Sequence, residues 1–141
     1  MVYAQERVQD DPGKCVAVTA GPGDKVVVPP GWAHYVVNTA PDSCLIFGAW
    51  CDRQYGFIYE PIRARGGLAW FPILNPDSSI RWEQNTAYRN PKLSLGHAHS
   101  YPELNVDNKV SIYEQFAVDP DCLQWVSEPA RMELLWRDFE P

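Results

Sequence analysis

The chain has 141 residues, 45% of them hydrophobic, and a formal net charge of −6. This length and apolar content predict one domain with one core, and the negative charge disfavours nucleic acid and anionic membranes as partners. The sequence contains neither a long apolar run nor a signal-peptide pattern, so we expect a cytoplasmic protein if Met1 is the true N-terminus.

Short β-branched or alternating segments, separated by Gly, Pro, Asn and Asp, recur along the first 85 residues, which is typical of strands joined by tight turns. Residues 75–78, Asn-Pro-Asp-Ser, predict a hairpin turn. From residue 86 to about 108 the pattern predicts a loop, and two short helices follow, over 110–116 and 129–136. The predicted strands lie near residues 2–6, 15–19, 25–28, 33–38, 44–50, 57–61, 68–74 and 79–84.

The stretch GDKVVVPPGWAHYVVN, residues 23–38, has the spacing G-x5-P-x-G-x2-H-x3-N. Pro29 and Pro30 end a strand because they lack backbone donors, and Gly31 turns the chain sharply into the next strand. Alternation along that strand puts His34 on a face with apolar neighbours, and we expect this face to line an interior. A neutral imidazole there suits divalent iron, manganese, nickel or zinc.

This spacing is that of the second cupin motif, and the chain therefore resembles the cupins. The resemblance implies an all-β fold, the double-stranded β-helix or jelly roll, with a short helical C-terminal extension. We expect a cupin barrel over residues 1–90 and an extension over 91–141 that packs on the barrel or on a partner subunit. Cupins take further ligands from a first motif, G-x5-H-x-H-x3,4-E-x6-G. The 33 residues before His34 contain no histidine, so the barrel is expected to lack this motif and to be incomplete at its N-terminus.

A second histidine pattern lies downstream, at His97-x-His99-x3-Glu103, with the H-x-H-x3-E spacing of the first motif. A circular permutation, or exchange between subunits, would join these three residues to His34 in a complete ligand set. The alternative is a loop without metal. Pro102 and the lack of the motif's flanking glycines favour the loop.

The chain also resembles the cupin-type glucose-6-phosphate isomerases of archaea and some bacteria, over residues 1–90 and 101–129. The matching segments are VVVPPGWAHYVVNT, LIFGAW, the Gln-Tyr-Gly of residues 54–56, LAWFPILNPDSSIRWEQN and YPELNVDNKVSIYEQFAVDP. The resemblance implies metal-dependent interconversion of glucose 6-phosphate and fructose 6-phosphate, with His34 as a ligand. It also implies that Tyr55 lies near the substrate, as the tyrosine of the family's D-Y-G block. Gln54 and Arg53 stand where the family has aspartate and histidine.

Two functional hypotheses follow. The first is a cupin-type isomerase with Tyr55 as the catalytic residue, Tyr55 and Arg53 binding the sugar phosphate, and weak or no turnover. Turnover is limited because the family's proton-transferring glutamate would precede Met1. The second is a noncatalytic cupin without a metal that binds a small molecule or a protein. Arg63 and Arg65 are the other basic residues near enough to serve a phosphate. Since an incomplete barrel exposes strand edges and apolar surface, we expect a homodimer.

Overall fold

A computed structural model describes every residue from Met1 to Pro141. Three 3-10 helices, Pro102–Leu104, Pro120–Leu123 and Pro129–Met132, join or precede the later elements. No helix combines the length and the apolar character that crossing a bilayer would require. The strands and α-helices are β1 (Val2–Gln5), β2 (Lys14–Thr19), β3 (Ala33–Val36), α1 (Glu60–Ala64), β4 (Trp70–Leu74), β5 (Ile80–Gln84), β6 (Lys92–His97), α2 (Ile112–Val118), α3 (Gln124–Ser127) and α4 (Glu133–Asp138).

The strands form two small sheets that do not close into a barrel. The larger sheet has the order β3-β1-β2-β6, in which β1 is antiparallel to β2 and β3 while β6 is parallel to β2. The smaller sheet is the antiparallel hairpin of β4 and β5. Its turn is closed by the Asn75 N–H, which donates to the Ser79 carbonyl at 2.9 Å. The chain therefore has the short strands and tight turns of a β fold, together with short helices.

Most strand predictions are confirmed to within a few residues, and so are the hairpin turn and the two C-terminal helices. The predicted strands at 25–28, 44–50 and 57–61 are wrong, because the backbone of those segments pairs with no other strand. The predicted loop after residue 86 is wrong at 92–97. That segment forms β6 because the outer edge of β2 is open along its whole length.

The main core lies between one face of the larger sheet and the hairpin. The ring of Tyr3 stacks on that of Tyr35, with centroids 4.8 Å apart, and burial raises the pKa of both tyrosines. The buried Gln5 amide connects the two layers, since its Oε1 accepts from the Ala69 N–H at 2.7 Å and from the Tyr3 hydroxyl at 3.1 Å. The buried residues of this cluster are Tyr3, Cys15, Ala17, Leu68, Ala69 and Tyr88.

The C-terminal arm, residues 111–141, packs on a second and separate cluster. It begins with a capping box, in which the Ser111 hydroxyl accepts from the Glu114 N–H and the Glu114 carboxylate accepts from the Ser111 N–H. This arrangement satisfies two of the backbone donors that a helix N-terminus leaves open. The buried residues of the cluster are Val27, Tyr101, Leu104, Val106 and Phe139.

Candidate functional site

The turn in the histidine motif forms as the sequence predicts, although the strand expected before it, over residues 25–28, does not. The Trp32 N–H donates to the Pro29 carbonyl at 3.2 Å, and Gly31 adopts a φ of +80°, a conformation that favours glycine. The chain then enters β3, where His34 pairs with Ala4 of β1. The turn therefore delivers the imidazole to the outer strand of the sheet.

His34 is exposed in this structure, so the expectation that it faces an enclosed interior is wrong here. The reason is the packing of its neighbour. Tyr35 points to the opposite face, stacks on Tyr3 and donates its hydroxyl to the Trp70 carbonyl at 2.9 Å. Since alternate residues of a strand face opposite sides, the buried position of Tyr35 turns His34 away from the core. The role of His34 as a metal ligand stays a prediction.

The other three candidate ligands lie at the end of β6 or after it, and β6 is the opposite edge strand of the sheet from that of His34. His97 ends β6 beside Thr19 of β2, whereas the row across the sheet from His34 passes through Ala4 and Val16 to Ser94. His97 is an odd number of residues from Ser94 and therefore faces the other side. The two histidines are also on opposite edge strands, separated by roughly 14 Å at three strand spacings. His99 and Glu103 follow β6, both exposed, with Glu103 in the first 3-10 helix.

The donor set of this chain does not form a site for a divalent metal. No three His, Cys, Asp or Glu side chains among residues 1–141 lie in an arrangement that could hold one. A structural or catalytic site of the kind expected needs three or four protein ligands at once. His34 supplies a single imidazole, and the geometry above keeps His97 from joining it within one chain.

Arg53 and Tyr55 lie on one exposed turn. The turn begins where the Asp52 carboxylate accepts from the Gln54 N–H at 2.8 Å, and it ends at Gly56, whose φ is +64°. The Tyr55 side chain is 73% exposed. Arg53 forms no ion pair and no hydrogen bond within the chain, so its guanidinium is available to a ligand.

The other two arginines considered make different contacts. Arg65 donates to the Asp10 carboxylate at 2.9 Å and to the Ala87 carbonyl at 2.8 Å, and its guanidinium holds the pKa of Asp10 below its usual range. Arg63 lies over the ring of Tyr59, 5.5 Å from the centroid. Arg65 is therefore held within the chain, while the guanidiniums of Arg53 and Arg63 keep their hydrogen-bond donors open.

Arg53 lines an open cleft of about 330 Å³, between the 50–54 segment and the C-terminal arm. This volume is at the lower end of the roughly 300–1,000 Å³ of small-molecule sites. Trp50 forms the contact between the two walls, with its ring centroid 4.7 Å from that of Phe116. Tyr55 does not line the cleft. The wall formed by the arm consists of Phe116, Pro120, Leu123, Gln124, Val126 and Ser127.

Sequence reasoning found Arg53 but missed the arm as a wall of this cleft. The sequence predicts only that the extension over residues 91–141 packs on the barrel or on a partner subunit. The two walls are separated by more than sixty residues along the chain, so no local spacing connects them. The one signal present was the set of aromatic residues at 50, 113 and 116, whose rings meet in the structure.

The sequence matches the model of a known protein family. The model of the glucose-6-phosphate isomerase (GPI) family matches residues 10–90, more than half of the chain. The matched region contains the histidine corner and the turn that carries Arg53 and Tyr55. No curated protein and no solved structure matches the chain.

Proposed function

The chain belongs to the glucose-6-phosphate isomerase family, and we propose that it binds a phosphorylated hexose and isomerises it weakly or not at all by itself. The observation that carries the binding proposal is Arg53, an exposed guanidinium of the matched region that lines the cleft beside the Asp52 carboxylate. Arginine binds phosphate through paired, charge-assisted hydrogen bonds. Tyr55 is two residues along the same turn, and its exposed hydroxyl is accessible to a bound sugar.

The weak turnover follows from the chemistry of the reaction. Aldose-ketose isomerisation moves hydrogen between two adjacent carbons, and it needs a positioned base or a group that stabilises the developing enediolate charge. The chain's own candidate ligands do not come together in a metal site. We therefore assign Tyr55 to positioning a sugar hydroxyl and derive no step through a metal.

We also propose that the four-stranded sheet is part of a cupin-type jelly roll, with His34 at the second-motif position. The supporting observation is the turn at residues 29–31, which leads directly into β3. In this proposal His34 contributes one metal ligand. The remaining ligands are not residues that a single chain places beside His34.

Binding and turnover are measured separately to test the proposal. Calorimetry with glucose 6-phosphate should show saturable binding that falls about tenfold in Arg53→Met, the effect expected when one charge-assisted contact is lost. Arg81→Met is the matched control, because Arg81 is an exposed arginine that contacts only Glu83. A coupled assay from fructose 6-phosphate, with iron, manganese, nickel or zinc added, measures turnover.

The outcomes separate the two functional hypotheses. Turnover above that of heat-treated protein, lost in His34→Gln, supports a weak isomerase. Binding without turnover under every metal supports the second candidate, a noncatalytic binding protein, which the separated donor set favours. If neither glucose 6-phosphate nor fructose 6-phosphate binds, the proposed function is wrong.

We further propose that the chain forms a homodimer. The outer edge of β3 is unpaired, and several large apolar side chains are exposed between residues 45 and 59. Unpaired strand edges and exposed apolar patches both favour association with another chain. Light scattering at high micromolar concentration should report a dimer, and a monomer there would contradict the proposal.

A further inference from the structure

The backbone of β3 is open along its outer side. Met1 and Val37 are a hydrogen-bonded pair, since the Met1 amine donates to the Val37 carbonyl at 3.1 Å and the Val37 N–H donates to the Met1 carbonyl at 2.9 Å. Successive residues of an antiparallel ladder direct their backbone groups to opposite sides, so those of His34 and Val36 point away from β1. No strand lies on that side. The N–H and C=O groups of both residues are therefore available to another strand.

The outer edge of β3 also lacks the features that keep strand edges from pairing. Natural edge strands are protected by lysine, by proline or by bulges. The strand contains no proline, and no Asp, Glu, Lys or Arg occurs between Lys25 and Asp42. The opposite edge strand, β6, begins with Lys92 and contains Gly96, which weakens a strand. Of the two edges of this sheet, β3 is thus the one better suited to accept a strand.

Exposed apolar side chains follow this edge closely. After β3 the chain turns, and the Asn38 side chain donates to the Ser43 carbonyl at 2.6 Å, which returns the chain to the end of the strand. Leu45, Ile46 and Phe47 come next, and all three are exposed. A strand that covers the edge would therefore gain apolar burial in addition to backbone hydrogen bonds.

The edge is complementary to a second copy of itself. Antiparallel pairing about a two-fold axis gives both strands the same set of donors and acceptors, so each open group meets a matching one. Two copies of a chain with a net charge of −6 repel each other, and like charges placed opposite one another on paired strands are destabilising. The uncharged stretch between Lys25 and Asp42 lets two copies meet without such a pair.

We propose that the β3 strands of two copies pair antiparallel across a two-fold axis and join the two four-stranded sheets into one continuous sheet. His34 of each copy exchanges backbone hydrogen bonds with Val36 of the other, and the two Tyr35 residues lie opposite each other at the axis. Each Tyr35 ring stays on the core face, where it stacks on Tyr3 of its own chain. This inference rests on the homodimer proposed above and identifies its interface.

Hydrogen exchange of the full chain, resolved by residue, tests the pairing directly. The amides of His34 and Val36 should exchange at least about tenfold more slowly at high than at low micromolar concentration, because only the dimer pairs them. The Leu95 amide is the internal control. Since the Ala98 N–H donates to the Thr19 carbonyl at 2.9 Å, alternation along β6 turns the Leu95 amide to the outer side of the opposite edge. Its exchange rate should not depend on concentration.

Val36→Pro and Leu95→Pro form a matched pair of variants. Each removes one outward N–H from an edge strand, a position where proline is tolerated, but only the first removes a donor of the proposed interface. Val36→Pro should raise the dimer Kd about tenfold or more in sedimentation equilibrium, because each copy loses a hydrogen bond, and Leu95→Pro should leave it unchanged.

His34→Lys gives a second variant that does not alter the backbone. The His34 side chain is exposed, so this substitution should leave the fold intact, which a thermal melt checks. It places a lysine from each copy in the paired strands, and we expect it to weaken the dimer as well. Dimers of unchanged Kd in both His34→Lys and Val36→Pro would contradict the inference.

The remaining outcomes separate this inference from the proposals on which it rests. A dimer in which the His34 and Val36 amides exchange freely has its interface elsewhere, so the inference would be wrong while the homodimer stands. Slow exchange that is equal at all concentrations would mean that the edge is covered within one chain, which also contradicts the inference. A monomer at every concentration would contradict both. None of these results depends on glucose 6-phosphate, whose binding is measured separately.

Discussion

Two apolar parts of this chain have similar β-forming sequences and different structures. The first, β1 and β2, reads VYAQ and KCVAVT and is almost entirely buried at the centre of the larger sheet. The second, residues 44–59, contains CLIFGAW and FIY, yet it forms no strand, and its Ile46 side chain is 93% exposed. β-propensity is thus not enough, because a strand exists only where a neighbouring edge accepts its hydrogen bonds.

The backbone shows the same difference. Each of β1 and β2 has a neighbour on both sides, so their donors and acceptors are paired within the sheet. Residues 44–58 make no backbone-to-backbone hydrogen bond at all. Open backbone groups beside exposed apolar side chains are the features through which a segment pairs with a second chain. In a single chain the second region is therefore expected to contribute little to stability.

The largest expected effect comes from a matched pair of aromatic truncations, one in each region. Tyr3→Ala removes a fully buried ring that stacks on Tyr35 and should lower the free energy of unfolding by about 4 kcal/mol. Phe57→Ala removes a largely exposed ring and should change it by less than about 0.5 kcal/mol. Urea denaturation at low micromolar concentration, which disfavours association, measures both values.

One result would contradict this contrast in stability between the two regions. A loss of more than about 2 kcal/mol in Phe57→Ala at low concentration would mean that residues 44–59 pack within the single chain. A loss of unfolding free energy that appears only as the protein concentration rises would instead place Phe57 in the dimer interface. The contribution of an interface residue to stability depends on association of the two chains.

Local patterns predicted most of the regular structure. The alternation in residues 2–6 and 15–19, the Pro-Gly turn before β3 and the turn at residues 75–78 each depend on neighbouring residues, and these features formed as expected. The family relationship was likewise carried by contiguous segments, and residues 10–90 match the isomerase model. Such features need no knowledge of what lies across the sheet.

Features that depend on distant neighbours were not predictable. The segment 92–97 has a weak strand pattern with Gly96 inside it, and it becomes β6 only because β2 offers a free edge more than seventy residues earlier. The orientation of His34 was likewise decided by Tyr35, whose ring finds Tyr3 on one particular face. The cleft wall formed by the arm needed the contact between Trp50 and Phe116. In each case, tertiary contacts select one of several arrangements that the local sequence allows equally.

A smaller effect is expected from glutamine substitutions in the same two regions, and it tests whether the centre of the sheet depends on polar contacts as well as apolar burial. Gln5→Leu keeps the volume but leaves the Ala69 N–H and the Arg7 carbonyl without the partners they have at 2.7 and 2.6 Å. Unpaired buried groups of this kind should cost about 2 kcal/mol in the free energy of unfolding, measured by urea denaturation. Gln54→Leu is the control, because its side chain is exposed, and it should change stability by less than about 0.5 kcal/mol. If Gln5→Leu were neutral, the link between the sheet and the hairpin would be apolar contact alone, and the contrast between the two regions would rest on Tyr3 and its neighbours.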